Sequence, residues 1–222
     1  ADIIDIGGES SRPGSKPVSE NNELARVLPV ITQLIDEVSV PISIDTYKPL
    51  VADTCVNAGA HLINDVTGLT NPKMRMVASQ YNVPVVLMHM QGTPKIMQQN
   101  PFYEDVIKEI KAFFQQQIAS AQKAGIQQVI IDPGIGFGKT VEHNLKILKH
   151  LETFTSLGCP LLVGPSRKSF IGTITGLPVN ERLEGTLAAV TVAVLNGAHI
   201  VRVHDVKECK RAVQIADAIR GV

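Results

Sequence analysis

The sequence predicts an α/β fold, a TIM (β/α)8-type barrel of which this chain carries seven βα units, strands two to eight. Three observations point there. Short β-branched runs alternate with longer segments of helical period. Their starts lie about 20 to about 44 residues apart, enough for the dozen or more residues that a parallel crossover needs. Nearly every run ends in polar residues, and barrels gather their ligand-binding groups at the C-terminal ends of the strands. An open seven-stranded sheet would instead leave two apolar edges, at its first and last strands. A barrel whose first strand and loop lie upstream of residue 1 accounts for the count of seven.

The strands are expected at 2–7, 41–45, 62–65, 84–89, 128–132, 160–164 and 199–205. Several are almost continuous in Ile, Val and Leu, as strands buried on both faces are. The clearest helix is 104–125, where Val106, Ile110, Phe113, Phe114, Ile118 and Ala121 make one stripe and Gly125 suits the C-terminal cap. The pattern recurs at 141–151 and 207–219. No Ser/Gly linker or charge run divides the chain, so residues 1–222 read as a single domain.

Composition narrows the function. Net charge is zero and there is no basic run, which argues against a nucleic-acid partner. Aromatics make up 4% and Trp is absent, so base-stacking platforms are not expected. No apolar run approaches the roughly 20 residues that span a bilayer, so no membrane partner is expected. Cys55, Cys159 and Cys209 are odd in number and scattered, which fits structural thiols in a reducing, cytoplasmic setting. The six histidines form no paired metal-ligand motif, so no zinc site is expected.

The strand ends carry the chemistry. The first runs into Gly7–Gly14, with Ser10, Ser11 and Arg12 as donors. The next exits present Asp45, then Asn64 and Asp65, then Met88 and His89, then Asp132. One such carboxylate is commonly a helix cap. An Asp, an Asn and an Asp on three different exits suit a flat heterocycle with adjacent N–H groups, which a carboxylate binds in the bidentate way it binds arginine. The run 132–140, DPGIGFGKT, is not a phosphate loop, because Pro133 stands where the first glycine is needed. Phe137 within it either covers a ligand or packs in the core. The sixth exit offers Ser166, Arg167, Lys168 and Ser169, two hydroxyls and two cations suited to an anionic or carbonyl-bearing ligand. On the last strand, period 2 puts Arg202 and His204 on one face, where a buried Arg needs an anion. That anion is a phosphate or diphosphate, or else Asp205 or Asp65 in a structural ion pair.

The segments DIGGESSRPG, SIDTYKP, INDVTG, LMHMQGTP, IDPGIGFGKT, VGPSRKSFIG and RVHDV, in this order and spacing, resemble the dihydropteroate synthase family. These are transferases of folate biosynthesis and the targets of sulfonamides. The resemblance runs from Asp2 to about Ile219. It implies a pterin-binding barrel that condenses 6-hydroxymethyl-7,8-dihydropterin diphosphate with p-aminobenzoate, giving 7,8-dihydropteroate and diphosphate. Asp45, Asn64 and Asp132 would hold the pterin's amino-pyrimidine edge, Met88 would pack on the ring, and Lys168 would reach its carbonyl and ring nitrogen. Arg202 would lie against the pterin and, with His204, neutralise the diphosphate. Lys168, Arg202 and His204 are thus the expected catalytic residues. Ser11, Arg12, Pro13, Phe137, Lys168 and Ser169 would bind p-aminobenzoate, with Ser11 standing where family members often have Thr. The resemblance further implies Mg²⁺, held by an Asn of the family's first loop rather than by a residue of this chain, and a homodimer. A related methyltransferase barrel and a non-catalytic barrel are the competing readings. ESSRPG and GPSRKS, which suit a diphosphate substrate, argue against the methyltransferase.

Overall fold

A computed structural model describes residues 1–12 and 14–222. In chain order the elements are β1 (Ile4–Gly7), α1 (Glu20–Glu37), β2 (Ile42–Asp45), α2 (Pro49–Asn57), β3 (Leu62–Asp65), α3 (Pro72–Tyr81), β4 (Val85–Met88) and α4 (Val106–Lys123). They continue with β5 (Val129–Asp132), α5 (Val141–Lys149), α6 (Glu152–Thr155), β6 (Leu162–Val163), α7 (Ser169–Thr175), α8 (Leu183–Leu195), β7 (Ile200–Val201) and α9 (Val206–Arg220). Every strand is followed by at least one helix, as the sequence predicts, with two helices after β5 and after β6. Local signals set the ends of the helices. Asp105 caps α4 by accepting from Ile107 N–H, and Thr140 caps α5 in a reciprocal box with His143.

All strand pairs are parallel, and neighbours in space are neighbours in sequence. β1 to β5 form one ladder, β6 pairs with β7, and a bridge from Ile131 to Leu161 joins the two groups. This is the winding of a TIM-type barrel. Among the described residues no ladder joins β7 to β1. Side chains make that link instead, as shown below.

The period-2 alternation of each strand sorts its side chains onto two faces. Ile42, Ile44, Ile63, Val85, Leu87, Ile131 and Val163 point outward and bury against the helices. Leu62, Val86 and Leu162 point inward and, with Ile3, Ile130 and Ile200, form a separate interior cluster. The residue two positions on from an inward apolar one is then an inward polar one at the strand's exit: Leu62 leads to Asn64 and Ile130 to Asp132. In the register, Asp45 lies beside Asn64 and Met88 beside Asp132. A buried strand thus delivers its polar terminus to the barrel mouth.

Candidate active site

Four expected residues line one wall of that mouth: Asp45 from β2, Asn64 from β3, Met88 from β4 and Asp132 from β5. Asn64, Met88 and Asp132 are buried. Burial pushes Asp45 up to about 7, and Asp5 adds to the rise while Arg202 opposes it. Burial likewise pushes Asp132 up to about 6. Gly134 N–H, which donates to Asp132 Oδ1 at 2.7 Å, and the cations Lys168, Lys139 and Arg202 pull it back.

The cations come from the later strand exits. Lys168 follows β6, and burial lowers it to about 8 against the pull of Asp132. Its Nζ stands 4.1 Å from the centroid of the Phe137 ring. Phe137 itself packs with Val66, Met88 and Met97, the packing alternative for this side chain. Ser169 opens α7 and is exposed. Ser11 is half-buried, whereas Arg12 is exposed, with its charge bearing on Lys168 and His204. Pro13 lies outside the described residues.

The last exit differs from the sequence expectation in two ways. First, β7 ends at Val201, because its ladder with β6 lasts only two residues. Arg202 and His204 therefore lie beyond the strand, and strand period does not set their common direction. Second, Arg202 is not an isolated buried cation. Its side chain is 48% exposed, with Nε 2.6 Å from Asp5 Oδ2 and a terminal nitrogen 2.9 Å from Asp45 Oδ2. Neither Asp205 nor Asp65 is its partner. Asp205 takes Arg167 instead, and Asp65 accepts from Thr67 and Leu69. His204 faces Ser166 Oγ at 2.9 Å, and burial together with Arg167, Arg202 and Arg12 lowers its pKa.

Asp5 is the residue that sequence reasoning passed over. It sits in β1 between Ile4 and Ile6, and accepts from Arg202 and from Asn64 Nδ2 at 3.1 Å. Its Oδ1 is buried without a partner. The signal was present: an aspartate within an apolar strand is costly unless paired. Lys139 was also missed as a site residue. It is buried behind Asp132, donates to Phe137 O at 2.9 Å and faces His89 Nδ1 at 3.1 Å.

Carboxylates, an amide and cations gathered at one mouth suit a planar ligand that offers N–H donors at one end and negative charge at the other. Among the described residues, no group of three or more His, Cys, Asp or Glu side chains could hold a metal ion. Among the described residues no helix is long and apolar enough to cross a membrane.

Comparison with known proteins gives the family. Residues 1–204 match the family model described as pterin binding enzyme. The chain is 47% identical to the dihydropteroate synthase of Escherichia coli K12, over 98% of this chain and 78% of that one. It is equally identical to the Bacillus subtilis enzyme, over 99% and 75%. Among solved structures it superposes on the Yersinia pestis dihydropteroate synthase in a sulfonamide drug complex with a TM-score of 0.98 (46% identity; 100% of this chain and 82% of that one). The Thermus thermophilus enzyme in complex with 4-aminobenzoate gives a TM-score of 0.94 (44% identity; 99% and 84%).

Proposed function

Because the chain belongs to the pterin binding enzymes, and within them to the dihydropteroate synthase family, we propose that it joins 6-hydroxymethyl-7,8-dihydropterin diphosphate to p-aminobenzoate at this mouth. Asp45, Asn64 and Asp132 take the N–H edge of the pterin, Met88 packs on its ring, and Lys168 donates to its carbonyl and ring nitrogen. Ser11, Arg12, Phe137 and Ser169 surround the second substrate. The observation that carries this reading is the convergence of Asp45, Asn64, Asp132, Lys168 and Arg202 from five separate strand exits.

The reaction breaks the C–O bond between the pterin methylene and the diphosphate, whose oxygen leaves with the electron pair. The arylamine nitrogen then forms the new C–N bond and gives up a proton to solvent. No covalent enzyme intermediate is required. Arg202 and His204 stabilise the charge that grows on the departing oxygens, a term that preorganised donors supply most effectively. Mg²⁺ enters this proposal as a companion of the diphosphate, held as the family resemblance implies by an Asn of the first loop rather than by a residue of this chain. No step is assigned to it. Three unpaired thiols, Cys55, Cys159 and Cys209, fit a cytoplasmic setting.

A coupled assay of diphosphate release with both substrates tests the reading. Release that depends on p-aminobenzoate is expected, and Arg202→Ala should slow it about 100-fold or more. Unchanged turnover in that variant refutes the role of Arg202; no p-aminobenzoate-dependent release from the parent chain refutes the function. We also infer a homodimer, because α8 and α9 leave Val192, Leu195, Ile215 and Ile219 exposed. A single-chain mass by light scattering counts against it.

A further inference from the structure

A second polar cluster lies beside the site, and the reaction does not use it. It joins Glu9, just past β1, to Tyr47 and Lys48, which follow Asp45 at the exit of β2, and to Glu23 on α1. Glu9 Oε1 accepts from the Tyr47 hydroxyl at 2.8 Å. Its Oε2 accepts from Val18 N–H at 2.9 Å and from Lys48 Nζ at 2.5 Å. Lys48 Nζ also bonds Glu23, a buried carboxylate whose Oε1 has no partner. Neighbouring Gly8 makes room for this, since a Cβ there would come within 2.8 Å of the Glu23 side chain. Burial works against ionisation of both Glu9 and Lys48. Even so, the bonds from Lys48, Val18 and Tyr47 hold Glu9 below the usual carboxylate range, and Glu23 and Glu9 hold Lys48 above the usual ammonium range.

The connectivity is specific. One carboxylate grips residue 9 and residue 18, so it closes the base of the intervening loop, which carries Ser11 and Arg12. The same carboxylate is fastened to the strand exit that presents Asp45. Farther out, the loop is held by a 3.3 Å backbone bond from Gly14 to Pro94. Such a network contributes little to stability alone, because well-packed apolar side chains commonly do as well as a buried ion pair. Fixing where a loop pivots is a use that only a directional network serves.

We propose that Glu9, Tyr47 and Lys48 are positioning residues for p-aminobenzoate: they set the pivot from which the 10–17 loop brings Ser11 and Arg12 over the second substrate, and they leave the pterin edge alone. The proposal rests on the function assigned above. Its test uses the full chain with Lys48→Met and with Tyr47→Phe, which removes one hydroxyl and keeps both the ring and the charges. For Lys48→Met, KM for p-aminobenzoate should rise about tenfold, the scale of losing one charged hydrogen bond. For Tyr47→Phe the rise should be about threefold. Calorimetric affinity for 6-hydroxymethyl-7,8-dihydropterin diphosphate should stay within about twofold in both. Hydrogen exchange probes the pivot without turnover: amides 10–18 should exchange faster in both variants while those of β2 do not change. An unchanged KM for p-aminobenzoate, unaltered exchange at 10–18, or equal losses for both substrates that track a fall in Tm would each overturn the proposal. An inactive parent chain would instead fault the assigned function, and the exchange measurement would still decide the pivot.

Discussion

Asp132→Asn separates the cost of a buried carboxylate from its use. Burial raises Asp132 from 3.8 to about 6, although Gly134 N–H and three cations favour its charged form. At about 1.4 kcal/mol per tenfold, holding it ionised costs the ligand-free fold about 1–3 kcal/mol at pH 8. Asn has the same shape and keeps Oδ1 for Gly134 without the charge, so urea unfolding should find the variant about 1–3 kcal/mol more stable at pH 8. The sign follows from proton counts. Between about 3.8 and about 6 the folded carboxyl keeps a proton that the unfolded chain releases. The penalty is therefore absent below this window and complete above it, and the variant's advantage should shrink as pH falls through it. Affinity runs the other way. An amide presents N–H where the pterin edge also presents N–H, so calorimetry with 6-hydroxymethyl-7,8-dihydropterin should show a loss of about 10- to 100-fold at pH 8. In the parent, affinity should fall below pH about 6 as protons compete for Asp132; the variant should keep only the slope due to Asp45, which titrates at about 7. A variant that is less stable at pH 8, or that binds the pterin as well as the parent, refutes the reasoning.

Gly134 has φ +69°, and a Cβ there would sit 2.0 Å from the His89 carbonyl oxygen. Gly134→Ala should therefore cost about 2–5 kcal/mol in urea unfolding, combining left-handed strain with forced displacement of the β4 exit; an unchanged midpoint would rule this out. Lys139→Met removes a buried cation, lowered to about 7 by burial, that stands beside Asp132. Without it Asp132 should titrate higher, so the fall in pterin affinity should begin at a higher pH, and only below pH about 7, where Lys139 carries its charge. A calorimetric pH profile with its midpoint unmoved would exclude that coupling.

The sequence made visible whatever depends on near neighbours. The exits at Asp45, Asn64 and Asp132 stand out because an apolar run ends in a polar residue within four positions. The helix at 104–125 announces itself by its stripe and Gly125, and the structure trims it to Val106–Lys123 and adds Asp105 as its cap. What stayed hidden depends on which strand exits come together in space. Arg202 meets Asp5 across 197 positions of sequence, and Arg167 meets Asp205 across 38. No period in a single strand encodes such pairs. The strand expected at 199–205 is likewise shorter: its ladder with β6 covers Ile200 and Val201, and Arg202 and His204 lie beyond it.

The pairing of charges at the mouth decides which cations an incoming anion meets first. Arg202 already serves Asp5 and Asp45, so each contact it makes with a diphosphate competes with a carboxylate. Lys168 differs. Its Nζ lies over the Phe137 ring, and it makes no ion pair within 4 Å among the described residues. A pterin whose N–H edge takes over Asp45 would relieve Arg202 of one partner, because a carboxylate accepts an amidine-like edge in the same two-pronged way as a guanidinium. The two ends of the first substrate are then energetically linked through one side chain. For that reason Arg202→Ala is expected to act on turnover, whereas Asp132→Asn, at a carboxylate Arg202 does not bond, acts on pterin affinity.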